Sequence, residues 1–289
     1  MLPERTDADT FYRKLTKRNA GLIAPATQRR LREARIVVAG CGSTGGAAVM
    51  PLVRSGATRF LLADPDAFEL SNLNRQNATI YDIGDNKAVV AARNVRSVNP
   101  HASIEILEDG IPTHGVDALL DDDDVVIDAI DVTTAAGIAA KKALHVAAAR
   151  KRLPVITAYD IAACQFVEVF DYRTGGRALG GKVDGKETPE EVLAALIPPT
   201  ALPEEILPII ARGAAVLDTG FPQLAMTAQL FGALVVPVVL RLLDNEPTAG
   251  RIRIDLFAAT TPRHRRPMRR IRTLAKLPSV WRTTRRRTQ

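Results

Sequence analysis

Cysteine and aromatic residues are scarce in this chain of 289 residues, and each shortage excludes a class of protein. The two cysteines, Cys41 and Cys164, cannot form a disulfide framework or a four-cysteine zinc site. Aromatic residues make up 4% of the chain, and Trp281 alone accompanies the C-terminal cations. Base stacking along a single-stranded nucleic acid is therefore not indicated.

Long apolar runs are also missing. The sequence contains no stretch of about 18 uncharged apolar residues, so we expect no membrane-spanning helix. The first residues, MLPERTDADTFYRK, include acidic side chains and no apolar core, unlike a secretory signal. These features favour a cytoplasmic protein without membrane contact.

The excess of positive charge belongs to the C-terminus. The net charge is +7, but residues 263–289 hold eleven of the 39 basic side chains and no acidic one. Subtracting eleven from 39 leaves 28 basic against 32 acidic residues, so the rest of the chain is mildly acidic. The basic tail is either a solvated extension or a contact for an acidic partner or a nucleic acid.

Strands alternate with helices after an N-terminal helical arm at 1–34. The pattern predicts helices after the glycines at 40–46 and at 86–98 and 133–152, and strands at 35–39, 59–63, 104–107, 125–127 and 154–158. This alternation predicts a Rossmann-like, doubly wound and mostly parallel sheet with helices on both faces, in a domain spanning 35–170.

The pattern changes after a further predicted strand at 162–169. Residues 171–222 are rich in glycine and proline, and we expect this insertion, with a helix at 189–195, to face the substrate. An apolar helix at 223–243 and a strand at 251–257 then complete the domain as a late antiparallel extension within 223–262.

A glycine-rich motif follows the first strand. Gly40, Gly42 and Gly45 form G-x-G-x-x-G between a strand and a helix, where glycines let the backbone approach phosphate. Asp64, at the end of the second strand, can accept hydrogen bonds from ribose hydroxyls. These residues indicate a nucleotide but leave NAD, ATP and a structural turn without ligand open.

Four further motifs sharpen this interpretation. They are Ser71-Asn-Leu-Asn-Arg-Gln76, Ile83-Gly-Asp-Asn-Lys87, Asn99-Pro100 and Asp128-Ala-Ile-Asp131. At these spacings the chain resembles the ThiF/MoeB/HesA family, the relatives of ubiquitin-activating enzymes. The resemblance is strong over 16–158 and weaker over 223–257.

The resemblance implies that ATP adenylates a carboxyl group. A C-terminal carboxylate is already ionised at neutral pH, so the reaction needs charge neutralisation and alignment of the polyphosphate rather than a general base. It implies Arg75 and Lys87 on the phosphates, Asp131 on Mg²⁺ directly or through water, and Ser71 and Asn72 on ribose or phosphate oxygens.

Structural roles stay open for the same side chains. Asp131 could cap the helix that follows it, Lys87 could be a solvated lysine, and Arg75 could be an ion-pair partner. Asp128 could support the site from a strand end, and Gln76 could serve packing.

The family also implies an arginine on the N-terminal arm that reaches the phosphates of the partner subunit in a homodimer. Arg18, within Lys17-Arg-Asn-Ala-Gly21, fits this role best, and Arg13 is the competitor.

Two cysteine-dependent features of relatives are missing. With Cys41 and Cys164 alone, structural zinc is not expected, and residues 213–222 hold no cysteine to accept a thioester. Cys164 lies in an apolar run and is expected to be buried and inert. The expected end point is the acyl-adenylate, passed to an external nucleophile.

The acceptor stays open between three hypotheses. The leading one is the C-terminus of a ubiquitin-like or sulfur-carrier protein. The second is a peptide, a small-molecule carboxylate or a modified tRNA base, and the third is an adaptor that retains the fold without turnover.

Overall fold

Residues 6–184, 187–212 and 222–266, together with Ile271, are described by a computed structural model. Within them one sheet of seven strands has the order β3-β2-β1-β4-β5-β6-β7. The strands are β1 (Arg35–Ala39), β2 (Arg59–Ala63), β3 (Ser103–Leu107), β4 (Asp124–Asp128), β5 (Pro154–Ile161), β6 (Cys164–Asp171) and β7 (Arg251–Asp255).

Ten α-helices lie in the described ranges. They are α1 (Ala8–Leu15), α2 (Pro25–Glu33), α3 (Ser43–Ser55), α4 (Lys87–Val98), α5 (Val116–Leu119), α6 (Ala135–Lys151), α7 (Pro189–Leu196), α8 (Leu207–Arg212), α9 (Ala225–Leu243) and α10 (Leu256–Thr260). Strands β1 to β5 pair in parallel, whereas β6 and β7 are antiparallel. This confirms the predicted mostly parallel sheet with a late antiparallel extension.

The last strand is shorter than predicted. The sequence predicts a strand over 251–257, but β7 ends at Asp255, whose side chain accepts a hydrogen bond from the Ala258 N–H at 2.8 Å. Because this bond caps a helix, the apolar residues after Asp255 enter α10 rather than the sheet.

Helices cover both faces of the sheet, which explains the continuous apolar strands. β1 and β4 are buried at all of their 5 positions, as expected for central parallel strands. One apolar cluster packs α3, α4 and α9 on one face, and a second packs α6 on the other.

The arm and the insertion both pack on this body. The arm docks at the C-terminal end of α3, where Asn19 donates to the Ser55 carbonyl at 2.9 Å. The insertion adds its own apolar cluster, in which Leu179, Leu196 and Ile206 are buried beside the ends of β5 and β6. Of the tail, only residues through 266 and Ile271 are described, so its predicted role lies largely outside them.

Helix α9 crosses α3 at short range. Among the described residues, it is the one helix whose length and composition would allow it to span a membrane. Phe231, Val235 and Val239 on this helix are buried in the core. At the crossing, a Cβ on Gly232 would lie 2.5 Å from the Ala47 carbonyl oxygen, so only glycine fits there.

We expect Gly232→Ala to lower the free energy of unfolding by about 1–3 kcal/mol, because the added methyl group forces the two helices apart. This loss exceeds the gain in helix propensity of roughly 1 kcal/mol. Urea unfolding measures the change. Gly250→Ala is the control, since nothing lies within 4 Å of a Cβ there; equal stability of the two variants would contradict the close crossing.

Candidate functional site

The predicted site residues meet where the strand order reverses. Strand β1 lies between β2 and β4. The chain runs from β1 to β2 and β3 on one side, and then returns to β4 and β5 on the other side. In doubly wound sheets this arrangement opens a crevice at the carboxyl ends of the strands. Gly40, Asp64 and Ala129 follow these three strands directly and line one edge of the sheet.

The glycines allow loops to touch backbone to backbone. Gly40 has φ +91°, and a Cβ there would lie 2.4 Å from the Ala129 carbonyl oxygen. A Cβ on Gly45 would lie 1.8 Å from the Gly40 carbonyl oxygen. Gly42 faces the Gln76 amide, with 3.6 Å between that amide and a Cβ on Gly42. Gly40 and Gly45 are therefore required by the loop itself, whereas Gly42 leaves room above the helix.

The N-terminus of α3 is uncapped. Its N-cap is Gly42, and no side chain accepts a hydrogen bond there. The first turn of any α-helix leaves N–H groups without intrahelical partners, here those of Ser43, Thr44 and Gly45. With the positive end of the helix dipole behind them, these groups form an anion site.

Asp64 holds the glycine loop in place through hydrogen bonds. Its carboxylate accepts the Cys41 N–H at 2.6 Å and the Asp66 N–H at 2.9 Å. Burial raises the pKa of Asp64, and these backbone N–H groups together with the charge of Lys87 oppose that rise. The structure thus shows Asp64 holding the loop, and its contact with ribose stays a prediction.

Lys87 is the first residue of α4 and is 8% exposed, so the solvated-lysine alternative is wrong. Its Nζ donates to Asp66 Oδ2 at 2.8 Å. Asp66 has a side chain that is 66% exposed, which leaves this pair open to exchange with a bound anion. Lys87 also borders a small cavity with Cys41 and Gly46 of the glycine loop.

Arg75 directly precedes Gln76, whose amide faces Gly42. Its Nε donates to Gln223 Oε1 at 2.6 Å, and its Nη1 donates to Asn74 Oδ1 at 2.8 Å and to the Ser71 carbonyl at 3.1 Å. These acceptors are neutral, so the described contacts do not support the ion-pair alternative. The charge of Arg75 acts on the buried Asp160, where it opposes the rise in pKa that burial causes.

Ser71 and Asn72 lie in a short 3₁₀-helix, Leu70–Asn72. Asn72 Oδ1 accepts the Glu69 N–H at 3.0 Å, which fixes this segment four residues before the motif's Gln76. The buried Gln76 Oε1 has no hydrogen-bond partner among the described residues. A buried acceptor of this kind beside Gly42 fits a donor from a bound ligand.

Asp131 is an exposed carboxylate on the loop after β4. Its oxygens accept the Thr133 N–H at 2.9 Å and the Thr133 hydroxyl at 2.8 Å. The N-cap of α6 is Thr134, which accepts the Gly137 N–H, so the alternative that Asp131 caps the helix is wrong. Exposed carboxylate oxygens have the hard-ligand chemistry that Mg²⁺ requires.

Asp160 is a site residue that the sequence did not reveal. This carboxyl group at the end of β5 is 4% exposed and accepts the Ser43 hydroxyl at 2.7 Å. With its amide turned to satisfy both neighbours, Gln165 donates to Asp160 Oδ1 at 2.6 Å. Burial raises the pKa of Asp160, while Ser43 and the charge of Arg75 oppose the rise. No motif marks it, because its partner Ser43 lies 117 residues away in the chain.

A buried ionic network surrounds Asp128, which was considered as a supporting residue. Asp128 Oδ2 accepts from Lys141 Nζ, from His145 Nε2 at 2.8 Å and from the Thr157 hydroxyl at 3.0 Å. Burial alone would raise the pKa of Asp128, but Lys141 and His145 outweigh it and hold the pKa below its usual range. Asp128 thus has a supporting role at the buried end of β4.

Arg18 lies far from this site in its own chain. It is exposed in the 3₁₀-helix Lys17–Asn19, which docks at the C-terminal end of α3. Because α3 has 13 residues and rises about 1.5 Å per residue, roughly 20 Å separate Arg18 from the glycine loop. Arg13 follows Tyr12, whose hydroxyl donates to the Gly56 carbonyl just beyond the same end of α3, so neither arginine joins the set within one chain.

Both cysteines are buried and free. The Cys164 Sγ lies 3.5 Å from the Ala201 carbonyl oxygen, and burial raises the pKa of Cys164 to about 11. Burial and the charge of Asp64 raise the pKa of Cys41 well above its usual value. Neither thiol has the thiolate character that a nucleophile needs. The segment 213–221, which contains no cysteine, lies outside the described residues.

We expect the protein to lose stability as the pH falls below about 6.5, at up to roughly 1.4 kcal/mol per pH unit for His145. Burial lowers the pKa of His145, so the unfolded chain binds a proton that the native protein does not. Urea unfolding between pH 7.5 and 5.5 measures this. His145→Gln should flatten the slope and exposed His114→Gln should not; identical slopes would contradict a neutral His145.

Comparisons with known proteins identify relatives of this chain. An uncharacterized protein of Mycobacterium tuberculosis is 33% identical over 262 residues, covering 87% of this chain and 36% of that protein. A sulfur carrier protein adenylyltransferase of Thermus thermophilus is 31% identical over 128 residues, covering 44% and 46%. A tRNA threonylcarbamoyladenosine dehydratase of Haemophilus influenzae is 36% identical over 138 residues, covering 47% and 51%. The chain thus spans about a third to a half of these relatives.

A solved structure shows the same fold. The E. coli tRNA N6-threonylcarbamoyladenosine dehydratase TcdA in complex with ATP has a TM-score of 0.60 and 21% sequence identity, covering 83% of this chain and 98% of that chain. The family match is wider than any one motif, since the ThiF family covers residues 16–276. This chain therefore belongs to the ThiF family.

Proposed function

We propose that the chain is an ATP-dependent adenylyltransferase that activates a carboxylate as an acyl-adenylate. The observation that carries this proposal is the uncapped N-terminus of α3 together with three charged groups around it. Lys87 borders a cavity with Cys41 and Gly46, and the charge of Arg75 acts on Asp160, which accepts the Ser43 hydroxyl. The exposed Asp131 follows two residues after Ala129, whose carbonyl lies against Gly40. A nicotinamide enzyme has no use for two cations and a metal-type carboxylate around one loop.

The site suits attack of a carboxylate on the α-phosphorus of ATP. A carboxylate oxygen forms the new bond to phosphorus, the bond between the α-phosphorus and the bridging oxygen breaks, and pyrophosphate leaves with that electron pair. No proton has to move, so the protein's contribution is alignment and charge neutralisation. The α3 N–H groups, Lys87 and Arg75 supply both for the anionic phosphates.

Mg²⁺ fits this donor set through Asp131. Mg²⁺ is typically held by one or two carboxylates together with substrate phosphates, and it neutralises charge on those phosphates. In this proposal Asp64 binds ribose, and Asn72 and Ser71 position ribose or phosphate oxygens. The unpaired Gln76 oxygen offers a further acceptor beside Gly42.

The proposed acceptor is the C-terminus of a ubiquitin-like or sulfur-carrier protein. The name of the Thermus relative supports this class of acceptor. Both cysteines are buried. Without a reactive thiol among the described residues, the acyl group passes from the adenylate to an external nucleophile. We also propose that the protein acts in the cytoplasm, without structural zinc.

A second candidate acceptor is a modified tRNA base, favoured by the name of the Haemophilus relative. Peptide or small-molecule carboxylates belong to the same test, as does the adaptor without turnover. ATP–pyrophosphate exchange with each acceptor separates them. Exchange with a carrier protein ending in Gly-Gly supports the first acceptor. Exchange with another acid alone replaces the carrier protein by that acid as the proposed acceptor. Exchange with no acceptor contradicts the proposal that the protein is an enzyme.

The homodimer is a further part of this proposal. Since Arg18 lies about 20 Å from the glycine loop of its own chain, it can serve a phosphate site only in a second copy. The separation supports the arm's expected role in a partner subunit.

We expect Asp131→Ala and Arg75→Ala each to reduce ATP–pyrophosphate exchange at least about 100-fold, since each removes charge stabilisation that the transition state needs. Asp131 is exposed and Arg75 is half-buried, so both variants should fold. Asp117→Ala and Arg96→Ala change the same charges away from the site and should keep near-normal exchange. Near-normal exchange in either site variant would refute this assignment.

Cys164→Ala should leave exchange and acyl transfer almost unchanged, because the thiol is buried and its pKa is raised to about 11. The measurement is transfer of the activated carboxylate to an added thiol or amine. Complete loss of transfer, with exchange intact, would instead show a thioester step on this cysteine.

A further inference from the structure

A continuous chain of hydrogen bonds joins the insertion to the end of β4. The Leu179 N–H donates to the Tyr172 hydroxyl at 2.9 Å, and that hydroxyl lies 2.8 Å from His145 Nδ1. On its other side, His145 Nε2 lies 2.8 Å from Asp128 Oδ2. Tyr172, His145 and Asp128 are all buried, so water does not compete for these bonds.

The protonation states of His145 and Asp128 decide which group donates each of these hydrogen bonds. Burial lowers the pKa of His145, while the charge of Lys141 helps to hold the pKa of Asp128 down. A neutral imidazole has one N–H, and an ionised carboxylate can only accept. The Nε2–H therefore donates to Asp128, Nδ1 accepts from the Tyr172 hydroxyl, and that hydroxyl accepts from Leu179.

In the insertion, the hydrogen-bond chain ends at a tight turn. In the segment Ala178–Gly181, Leu179 has φ +51° and is followed by two glycines with φ +65° and +73°. A left-handed conformation is rare for a leucine, so surrounding contacts must hold it. The hydrogen bond to Tyr172 and the burial of the Leu179 side chain provide them.

At its other end, the hydrogen-bond chain reaches Asp128, three residues before the candidate metal ligand Asp131. Asp128 Oδ1 accepts the Ile130 N–H at 3.2 Å, which fixes the loop just before Asp131. Val132, immediately after Asp131, is buried in the same apolar cluster as Leu179. The loop that carries Asp131 is thus held on both sides by groups that also hold the insertion turn.

We propose that Tyr172, His145 and Asp128 form a positioning relay that holds the Asp131 loop in place through the insertion turn, so that Mg²⁺-dependent binding of ATP requires the turn to be seated. This proposal rests on the proposed function, since it assumes that Asp131 serves Mg²⁺ bound with ATP. The relay residues do not contact the nucleotide; they act through the backbone of 129–131.

Tyr172→Phe removes the hydroxyl and keeps the ring. We expect the Kd for ATP with excess Mg²⁺ to rise about 10-fold, as is usual when a support of a metal ligand is lost, and the Kd for ATP in EDTA to change less than about 2-fold. Isothermal titration calorimetry measures both constants. A purely structural defect would weaken both to the same degree.

Tyr159→Phe serves as a matched control, and Thr157→Val serves as a second relay variant. The Tyr159 hydroxyl is buried without a partner among the described residues, so Tyr159→Phe should change neither constant. Thr157→Val removes one hydrogen bond to Asp128 with little change of shape and should give a smaller loss, again confined to ATP with Mg²⁺. Thermal unfolding of all variants verifies the fold.

The outcomes separate this inference from the proposed function. If the wild-type protein binds no ATP, both fail. If it binds ATP more tightly with Mg²⁺ and Tyr172→Phe shows the same two constants, the relay alone is refuted. A parallel weakening with and without Mg²⁺ in Tyr172→Phe and Thr157→Val also refutes the relay, because positioning of Asp131 predicts a Mg²⁺-specific loss.

Discussion

The backbone contact between the loop after β1 and the loop after β4 governs the rest of the site. Gly40 lies so close to the Ala129 carbonyl that a Cβ would stand 2.4 Å away, and Gly45 packs still more tightly on Gly40. This contact places the first turn of α3 directly beside the loop that carries Asp131. The free N–H groups of α3 and the exposed carboxylate of Asp131 thereby border one crevice, as the proposed adenylation needs.

Buried carboxylates hold the segments around this crevice through hydrogen bonds. Asp64 accepts two backbone N–H groups, Asp128 accepts from Lys141, His145 and Thr157, and Asp160 accepts from Ser43. A buried charge costs free energy unless it is paired and hydrogen-bonded, so each of these groups also fixes its donors. The exposed Asp131 differs from them, since its oxygens remain accessible to a ligand.

Much of the fold and part of the site could be predicted from the sequence. Short apolar runs ending at glycines gave the parallel strands, and the motifs around Arg75, Lys87 and Asp131 gave the family, which the comparisons confirm. The boundary of β7 was missed because Asp255 caps α10, a local bond that outweighs the β-propensity of the residues after it. Asp160 was missed because its partner Ser43 lies 117 residues away in the chain.

The sequence by itself determined the local features: the glycine spacing, the alternation of strands and helices, and the cationic and acidic side chains of the motifs. Tertiary structure decided which of these groups are buried or exposed and which meet. It assigned the cap of α6 to Thr134 rather than Asp131, buried Lys87, and joined Tyr172 to Asp128 through His145. The physical reason is that hydrogen-bond partners and solvent access depend on contacts between distant segments, whereas backbone periodicity and glycine turns depend on neighbours in the chain.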